Sequence, residues 1–394
     1  MRKNLDASLL FAVTALLVIG VAMVMSASFA KTGYSKDFNC DLLYFFKRQL
    51  LFAVLGMLCL WQVSRINLLK VRKYTVLLLW FAIFLLVLVL IPGIGIEVMG
   101  GRRWLGLGFF SFQPAEFAKL VVVLYLAHAL AKRGEKVKNF TSILSIILMV
   151  ALCFLLIERE PDLGTALVLG ITFFGMLFMA GVRPVYLGGM AVFGVLFVIF
   201  SIMKESYRME RILAFLDPWK YPLTSGYNAI QSFIALGSGG LFGKGPGLGV
   251  QKLFYLPEQY TDYIFAVLGE EFGLLGTLTV IFLFAWILRR GFKISTGVYH
   301  PFLQLLGGGI TIMICSQAAL NIGVVSGVVP ATGVPLPFIS YGGSSLILTL
   351  IAVGLLLNVG RYSVRETVST RERSREKIMK LVKGSRLGGG GTGA

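Results

Sequence analysis

The 394-residue sequence is poor in histidine, cysteine and carboxylate. His128 and His300 are the only histidines, too few for a zinc centre or for a Ser-His-Asp triad. The four cysteines, Cys40, Cys59, Cys153 and Cys315, stand far apart and three fall inside apolar segments, so they read as packing residues and not as a disulfide ladder or redox motif. Charged residues make up 14% of the chain against 57% hydrophobic ones, and the mean hydropathy of +0.82 excludes a soluble globular protein. Nineteen acids against 37 bases leave a net charge of +18. In a soluble protein that excess would suggest nucleic acid; in a membrane protein it follows from cytoplasmic loops that collect Lys and Arg. No nucleic-acid partner is expected.

What the sequence has in abundance is long apolar runs. Ten stretches of spanning length are predicted, near 8–29, 48–64, 74–96, 114–131, 141–158, 163–182, 184–203, 263–288, 300–325 and 343–360. The expected fold is therefore an all-α polytopic membrane protein with ten transmembrane helices and both termini on one side. Residues 1–30 also resemble a signal peptide, with Arg2 and Lys3 before an apolar run and small residues at Ala27–Ala30. Ahead of nine further spans they read as a retained first helix. A cytoplasmic N-terminus places the majority of the Lys and Arg in short, dense cytoplasmic turns, as the positive-inside rule requires. The opposite side then carries 31–47, 97–113, a turn near 159–162, a long loop 204–262 between helices 7 and 8, and the turn 326–342. In the long loop, Ile230, Phe233, Ile234 and Leu241 share roughly one helical face, which suggests a helix lying in the membrane interface. Residues 1–362 form the membrane domain, and 363–394 read as a basic, flexible cytoplasmic tail.

Five stretches on the outer side carry candidate chemistry. GSGGLFGKGPGLG, 237–249, suggests a phosphate-cradling loop with Lys244 adding charge, but Gly245 follows that lysine where a Walker motif needs Ser or Thr; a flexible turn is the simpler reading. GGRRWLGLGFFSFQPAEFAK, 100–119, places Arg102, Arg103 and Trp104 at a membrane boundary, then Glu116 and Lys119 on one helix face inside a span, either as a structural ion pair or as cavity charges. EREPDLGTA, 158–166, supplies acids around a natural helix start at Pro161 and Asp162. PATGVPLPFISYGGSS, 330–345, breaks the helical pattern with three prolines and reads as a structured loop lining a cavity, with Ser340 and Tyr341 in it. LPEQYTDYIFAVLGEE, 256–271, concentrates four acids beside a span. Glu258 and Asp262 suit a helix N-terminus, Thr261 or Asp262 suits an N-cap, and capping and catalysis both remain open there. Glu270 and Glu271 lie about two turns deeper and are expected to line the cavity or pair with a neighbouring helix.

Together GGRRWL with QPAEFAK, PDLGTA, GYNAIQSFIALGSGGLFGKG with LPEQYTDYIFAVLGEE, and NIGVVSGVVPATGVPLPFISYGGSS resemble, in order and over essentially the whole chain, the shape, elongation, division and sporulation (SEDS) family of bacterial membrane proteins. GLGVQKLFYLPE and the PATG turn are more similar to the division and sporulation members than to the elongation members. The resemblance implies a peptidoglycan glycosyltransferase that polymerises lipid II on the outer face of the bacterial cytoplasmic membrane at the division septum. It also implies a class B penicillin-binding transpeptidase and other divisome membrane proteins as partners. It puts the essential acid on Asp262 and the paired cavity charges on Glu116 and Lys119. Where the family commonly has glutamine before PDLGT this chain has Glu160, which weakens a hydrogen-bonding role there.

The chemistry expected of such an enzyme is an inverting transfer, with Asp262 as general base for an acceptor 4-hydroxyl. Arg102 or Arg103, Lys119 and Lys244 are the expected cations for the pyrophosphate leaving group. Trp104, Glu116, Asp162, Glu258, Ser340 and Tyr341 complete the expected substrate-binding set. No cofactor is evident; a divalent cation, Mg or Mn, bridging the pyrophosphate to Asp262 or Glu258 is compatible, although no ligand spacing demands it. The rival functions are a lipid II flippase, which needs a charged route open to both faces, and a non-catalytic division scaffold.

Overall fold

The structure, a computed structural model, describes residues 6–34, 41–98, 101–107 and 110–362. Cys40 and the tail 363–394 lie outside the described residues. The helices are α1 (Ala7–Tyr34), α2 (Tyr44–Val63), α3 (Leu68–Val71), α4 (Thr75–Leu90), α5 (Pro114–Arg133), α6 (Phe140–Arg159), α7 (Leu163–Met179), α8 (Pro184–Lys204), α9 (Ser206–Leu216), α10 (Tyr227–Gly239), α11 (Ile264–Thr296) and α12 (Pro301–Val325). A last helix, α13, covers Gly343–Tyr362. Among the described residues nine helical segments, counting Leu68–Leu90 as one, are long and apolar enough to cross a membrane. They match nine of the ten apolar stretches read from sequence. The tenth is α7, apolar but only 17 residues long. The chain is thus a multi-pass membrane protein.

Local sequence explains several helix ends. Pro114, Pro184 and Pro301 open α5, α8 and α12 at positions where a missing N–H costs nothing. Helix α5 carries Glu116 in its first turn and Lys132 and Arg133 in its last, each sign against the complementary dipole end, and stops at Gly134 with φ +51°. Asp162 caps α7.

Helix α12 runs through the middle of the bundle, against α5, α7 and α11. Its glycine triplet makes this possible: a Cβ on Gly308 would stand 2.1 Å from Met179 Cε, and one on Gly309 would stand 2.6 Å from Met176 Sδ. Helix α5 is the most enclosed of the spanning helices and α8 the least.

The stretch 97–113 was expected as a loop. It holds part of a three-stranded antiparallel sheet, β1 (Gly95–Val98), β2 (Gly101–Leu107) and β3 (Phe110–Phe112), in the order β1-β2-β3. The register pairs Ile96 with Trp104 and Glu97 with Arg102, with a bulge between Ile96 and Glu97. Helix α10 covers most of the stretch expected to lie in the interface, yet it packs on α11 through Ile230, Ala235 and Gly239, while Ile234 and Leu241 are exposed.

Helix α11 is broken at Gly273, whose φ of +65° only glycine adopts freely and whose missing Cβ admits the Gly243 amide. The break is spliced by the glycine-rich segment. Leu274 N and Leu275 N donate to Gly240 O (2.9 Å) and Leu241 O (3.2 Å), while Lys244 N and Gly245 N donate to Glu270 O (2.9 Å) and Glu271 O (3.0 Å). Backbone groups freed by the break therefore find partners, as they must in an apolar setting.

Candidate active site at one end of the bundle

Four connections meet at the same end: the sheet, the turn at 160–162, the turn before α11, and the loop 326–342 before α13. Arg103 ties the first two together, donating from Nε to Glu160 O (2.9 Å) and from a terminal nitrogen to Pro161 O (2.6 Å). Arg102 points elsewhere, to Glu97 at 3.2 Å, with both side chains exposed. Trp104 is half-buried beside them. Asp162 is buried and fully used: Oδ1 accepts from Thr165 N at 3.0 Å, and Oδ2 accepts from Thr165 Oγ1 at 2.8 Å and Gln113 Nε2 at 3.1 Å. It is a cap, as its place before α7 predicts.

Glu116 and Lys119 form a sealed pair. Lys119 Nζ lies 2.7 Å from Glu116 Oε1 and 2.7 Å from Gln317 Oε1, and both charged residues are at most 4% exposed. Gln317 Nε2 donates onward to Pro335 O at 3.0 Å. Lys244 pairs with Glu270 (2.7 Å) and Lys252 with Glu271 (2.6 Å). The two glutamates also accept backbone bonds from Val250, Gln251 and Gly247, and Glu271 accepts from Ser26 on α1 at 2.6 Å. Glu270 and Glu271 thus fasten the glycine-rich segment to α11, with α1 contributing one hydroxyl.

Asp262 differs from all of these. The N-cap of α11 is Tyr263, and no side chain caps it, so neither Thr261 nor Asp262 plays that part. Thr261 Oγ1 donates instead to Glu258 Oε2 at 3.0 Å. Glu258 holds a left-handed φ of +53°, a strained conformation for a non-glycine residue. The Asp262 carboxylate takes no hydrogen bond and forms no ion pair with any described residue, although it is half-buried and closely surrounded. Crowding by protein atoms, with the Glu258 and Asp162 charges adding to it and Arg211 and Arg103 opposing, pushes its pKa up to about 7. Those four groups are its electrostatic neighbours. Gly333 also lies against it, since a Cβ there would stand 3.5 Å from Oδ2.

Ser340 and Tyr341 hold the backbone of this turn. Ser340 Oγ donates to Thr261 O at 2.6 Å and accepts from Leu336 N at 2.8 Å, and Tyr341 N donates to Tyr260 O at 2.9 Å. Lys31 on α1 donates to the Tyr260 hydroxyl at 2.7 Å.

Two further residues stand out: Arg211, which the sequence did not single out, and Glu160, which it marked only as a departure from glutamine. Arg211 on α9 faces Asp262 electrostatically, donates to Ala331 O at 3.2 Å, and lines a cavity of about 180 Å³ with Phe215, Phe233, Tyr263 and Val324. It sits in the long stretch 204–262 outside every motif read from the sequence, so nothing local singled it out. Glu160 is fully buried and neither carboxyl oxygen has a partner. Burial, reinforced by Asp162 and opposed by Arg103, pushes it up to about 9, so it is uncharged at neutral pH. A neutral Glu160 has the size and charge of the glutamine expected there. A larger groove of about 850 Å³ between α1 and α2 is lined only by uncharged, apolar side chains such as Leu17, Met25 and Trp61, and is separate from this chemistry. Among the described residues no cluster of three or more His, Cys, Asp or Glu side chains could hold a metal ion.

Fold and site define a multi-pass membrane protein with two unpartnered carboxyl groups of raised pKa, Asp262 and Glu160, where its end loops converge. The family model described as "Cell cycle protein", which groups FtsW, RodA and SpoVE, matches residues 7–365. The chain belongs to this family. It is 43% identical over 358 residues to the "Probable peptidoglycan glycosyltransferase FtsW" of Geobacter metallireducens, covering 91% of this chain and 95% of that one. It is 44% identical over 366 residues to the "Stage V sporulation protein E" of Bacillus subtilis, covering 92% and 98%. Among solved structures, it is similar to a chain described under "Structural coordination of polymerization and crosslinking by a peptidoglycan synthase complex", with a TM-score of 0.75, 29% identity and coverage of 91% and 98%. The rod shape determining protein RodA of Thermus thermophilus is similar at a TM-score of 0.68 and 28% identity, covering 91% and 97%.

Proposed function

We infer that this protein is a peptidoglycan glycosyltransferase that polymerises lipid II into β-1,4 glycan strands. The observation that carries the mechanism is the Asp262 carboxylate, left without a partner while Glu116, Asp162 and Glu258 around it are bonded and the buried Glu160 is held neutral. An acceptor 4-hydroxyl attacks the anomeric carbon of the donor sugar. Its proton passes to Asp262, the bond from that carbon to the lipid pyrophosphate breaks, and the pyrophosphate leaves with the bonding pair. Configuration inverts in this single displacement. A pKa near 7 suits a general base at neutral pH.

The leaving group needs positive charge. Arg102, Arg103, Lys119 and Lys244 each have protein partners. Arg211 gives one bond to one carbonyl and faces Asp262 from the cavity, which favours it as the cation that meets pyrophosphate. If a divalent cation such as Mg or Mn arrives with the pyrophosphate, Asp262 and Glu258 are the carboxylates that would hold it, and it would supply charge to the leaving group.

With α7 counted as a short span, ten helices bring both termini to the cytoplasmic side and the site to the outer face, an orientation supported by the Lys and Arg distribution. The relatives named above support a place in the division septum, with a class B penicillin-binding transpeptidase and other divisome membrane proteins as partners. The sealed Glu116–Lys119 pair speaks against a charged flipping route, because neither residue is open to a passing headgroup.

The test is purified protein incubated with lipid II under conditions that exclude a contaminating polymerase. Glycan chains are expected from the parent and none from Asp262→Asn. A parent that moves lipid II between leaflets without forming glycan would establish the flippase reading instead.

A further inference from the structure

We propose that Asn321, held in line by Gln317, is a positioning residue that aims the Asp262 carboxylate; the proposal rests on Asp262 being the base. The problem it addresses is physical. A carboxylate with no hydrogen bond has nothing at its own oxygens to fix its direction, yet a base must meet the acceptor proton within hydrogen-bonding reach. Its orientation must therefore come from the backbone that carries it.

That backbone is gripped at three consecutive carbonyls. Tyr341 N donates to Tyr260 O (2.9 Å), Ser340 Oγ to Thr261 O (2.6 Å), and Asn321 Nδ2 to Asp262 O (2.8 Å). With each carbonyl fixed, the peptide planes on either side of Asp262 lose their freedom to rotate, and the Cα–Cβ bond of Asp262 keeps one direction. Only the third contact comes from a helix. The other two come from the loop before α13, so Asn321 alone refers Asp262 to the rigid centre of the bundle.

The same amide nitrogen also donates to Val334 O at 2.7 Å, next to the Gly333 that abuts Asp262 Oδ2. Two carbonyls against one NH2 group settle which way the amide faces. The consequence is that Asn321 Oδ1 is buried with no partner. An interior side chain that leaves its oxygen unsatisfied in order to present both N–H groups is spending stability on geometry.

Gln317 lies one turn earlier on the same face of α12. Its oxygen accepts from Lys119 and its nitrogen donates to Pro335 O, the residue after Val334. The Glu116–Lys119 pair thereby serves as an anchor, transmitting its position through Gln317 to the loop that Asn321 also holds.

The experiment compares Asn321→Leu, of similar volume, and Asn321→Ser, which keeps one donor, in full-length protein reconstituted with lipid II. Expected for Asn321→Leu is a fall in kcat of about 10- to 100-fold, the effect of displacing a reacting group by about an ångström, with KM within about twofold. Its pH–rate midpoint should also move below that of the parent as water reaches the loosened carboxylate, and Asn321→Ser should fall between the two. A purely structural role would lower the yield of folded protein and leave kcat per folded molecule and the pH midpoint in place, and that result overturns the proposal. If Asn321→Leu fails to fold, Asn321→Ser carries the same test. Asp262→Asn run beside them separates the two levels: undiminished activity there removes the base and the proposal with it. An inactive Asp262→Asn beside an Asn321 variant of parental kcat and pH midpoint removes the positioning role alone.

Discussion

The two ends of the stretch 258–271 hold two pairs of acids, Glu258 with Asp262 and Glu270 with Glu271, of similar sequence character and opposite fate. At the far end Glu270 and Glu271 are almost completely buried, each with a lysine at 2.7 or 2.6 Å and backbone N–H groups on its oxygens. At the near end Glu258 has one hydroxyl on its carboxylate, and Asp262 has nothing. Burial alone would mark Glu270 and Glu271 as the chemical pair. Satisfaction reverses that choice: a carboxylate that already accepts three bonds is a fastener, whereas one kept near its neutral point and unbonded is available to take a proton.

The sharpest way to break this contrast is Asp262→Asn. It should lower the polymerisation rate by about 10²- to 10⁴-fold, the range for losing a general base, while the unfolding free energy stays within about 0.5 kcal/mol of the parent. In the parent, the Asp262 base works only when deprotonated, so the rate should fall about tenfold per unit as pH drops below about 7 and level off above it. The opposite response is expected of Glu271→Gln. Losing one partner of a buried pair costs about 3 to 5 kcal/mol, so thermal unfolding in detergent should shift strongly downward, with activity per folded molecule less affected.

Smaller effects sharpen the picture around the site. Arg211→Ala should reduce kcat/KM by about 10- to 100-fold, with Arg211→Lys recovering part of the loss, because a lysine keeps the charge and loses the forked geometry. An Arg211→Ala enzyme of parental kcat/KM would return the pyrophosphate role to Arg102, Arg103 or Lys244. The least disturbance is expected of Glu160→Gln. The Glu160 pKa is raised from 4.5 to about 9 in the folded chain. The unfolded chain therefore loses this proton first as pH rises, and the stability that Glu160 contributes is complete below 4.5 and declines until about 9. Glutamine abolishes that dependence, so the parent and variant should melt alike at low pH and the variant should be the more stable at pH 9.

Much of the architecture was legible because hydropathy is a local property. Nine of the ten apolar stretches became helices of spanning length, and Pro114, Pro184, Pro301 and Asp162 marked helix starts as their side chains require. The sheet at 95–112 went unread since its strands are short, glycine-rich and broken by a bulge. The division between fastener and reagent among the acids was not legible either. It depends on partners such as Ser26, 245 residues from Glu271, and Gln317, 198 residues from Lys119. No spacing rule reaches that far. Asp262 itself came from resemblance, and local sequence favoured capping there until the structure put Tyr263 in that position.

The spliced break at Gly273 also sets an altitude. With 33 residues α11 is about 50 Å long at 1.5 Å per residue, well beyond the roughly 30 Å of a hydrocarbon core. Counted from Arg289, the unbroken part of α11 reaches Gly273 after about 24 Å, so the Glu270–Gly273 knot falls just inside the apolar limit and Asp262 lies beyond it, before the first residue of the helix. On the proposed function, a lipid-linked substrate keeps its tail in the bilayer while its sugars reach past the apolar limit, on the side of the break where Asp262 lies.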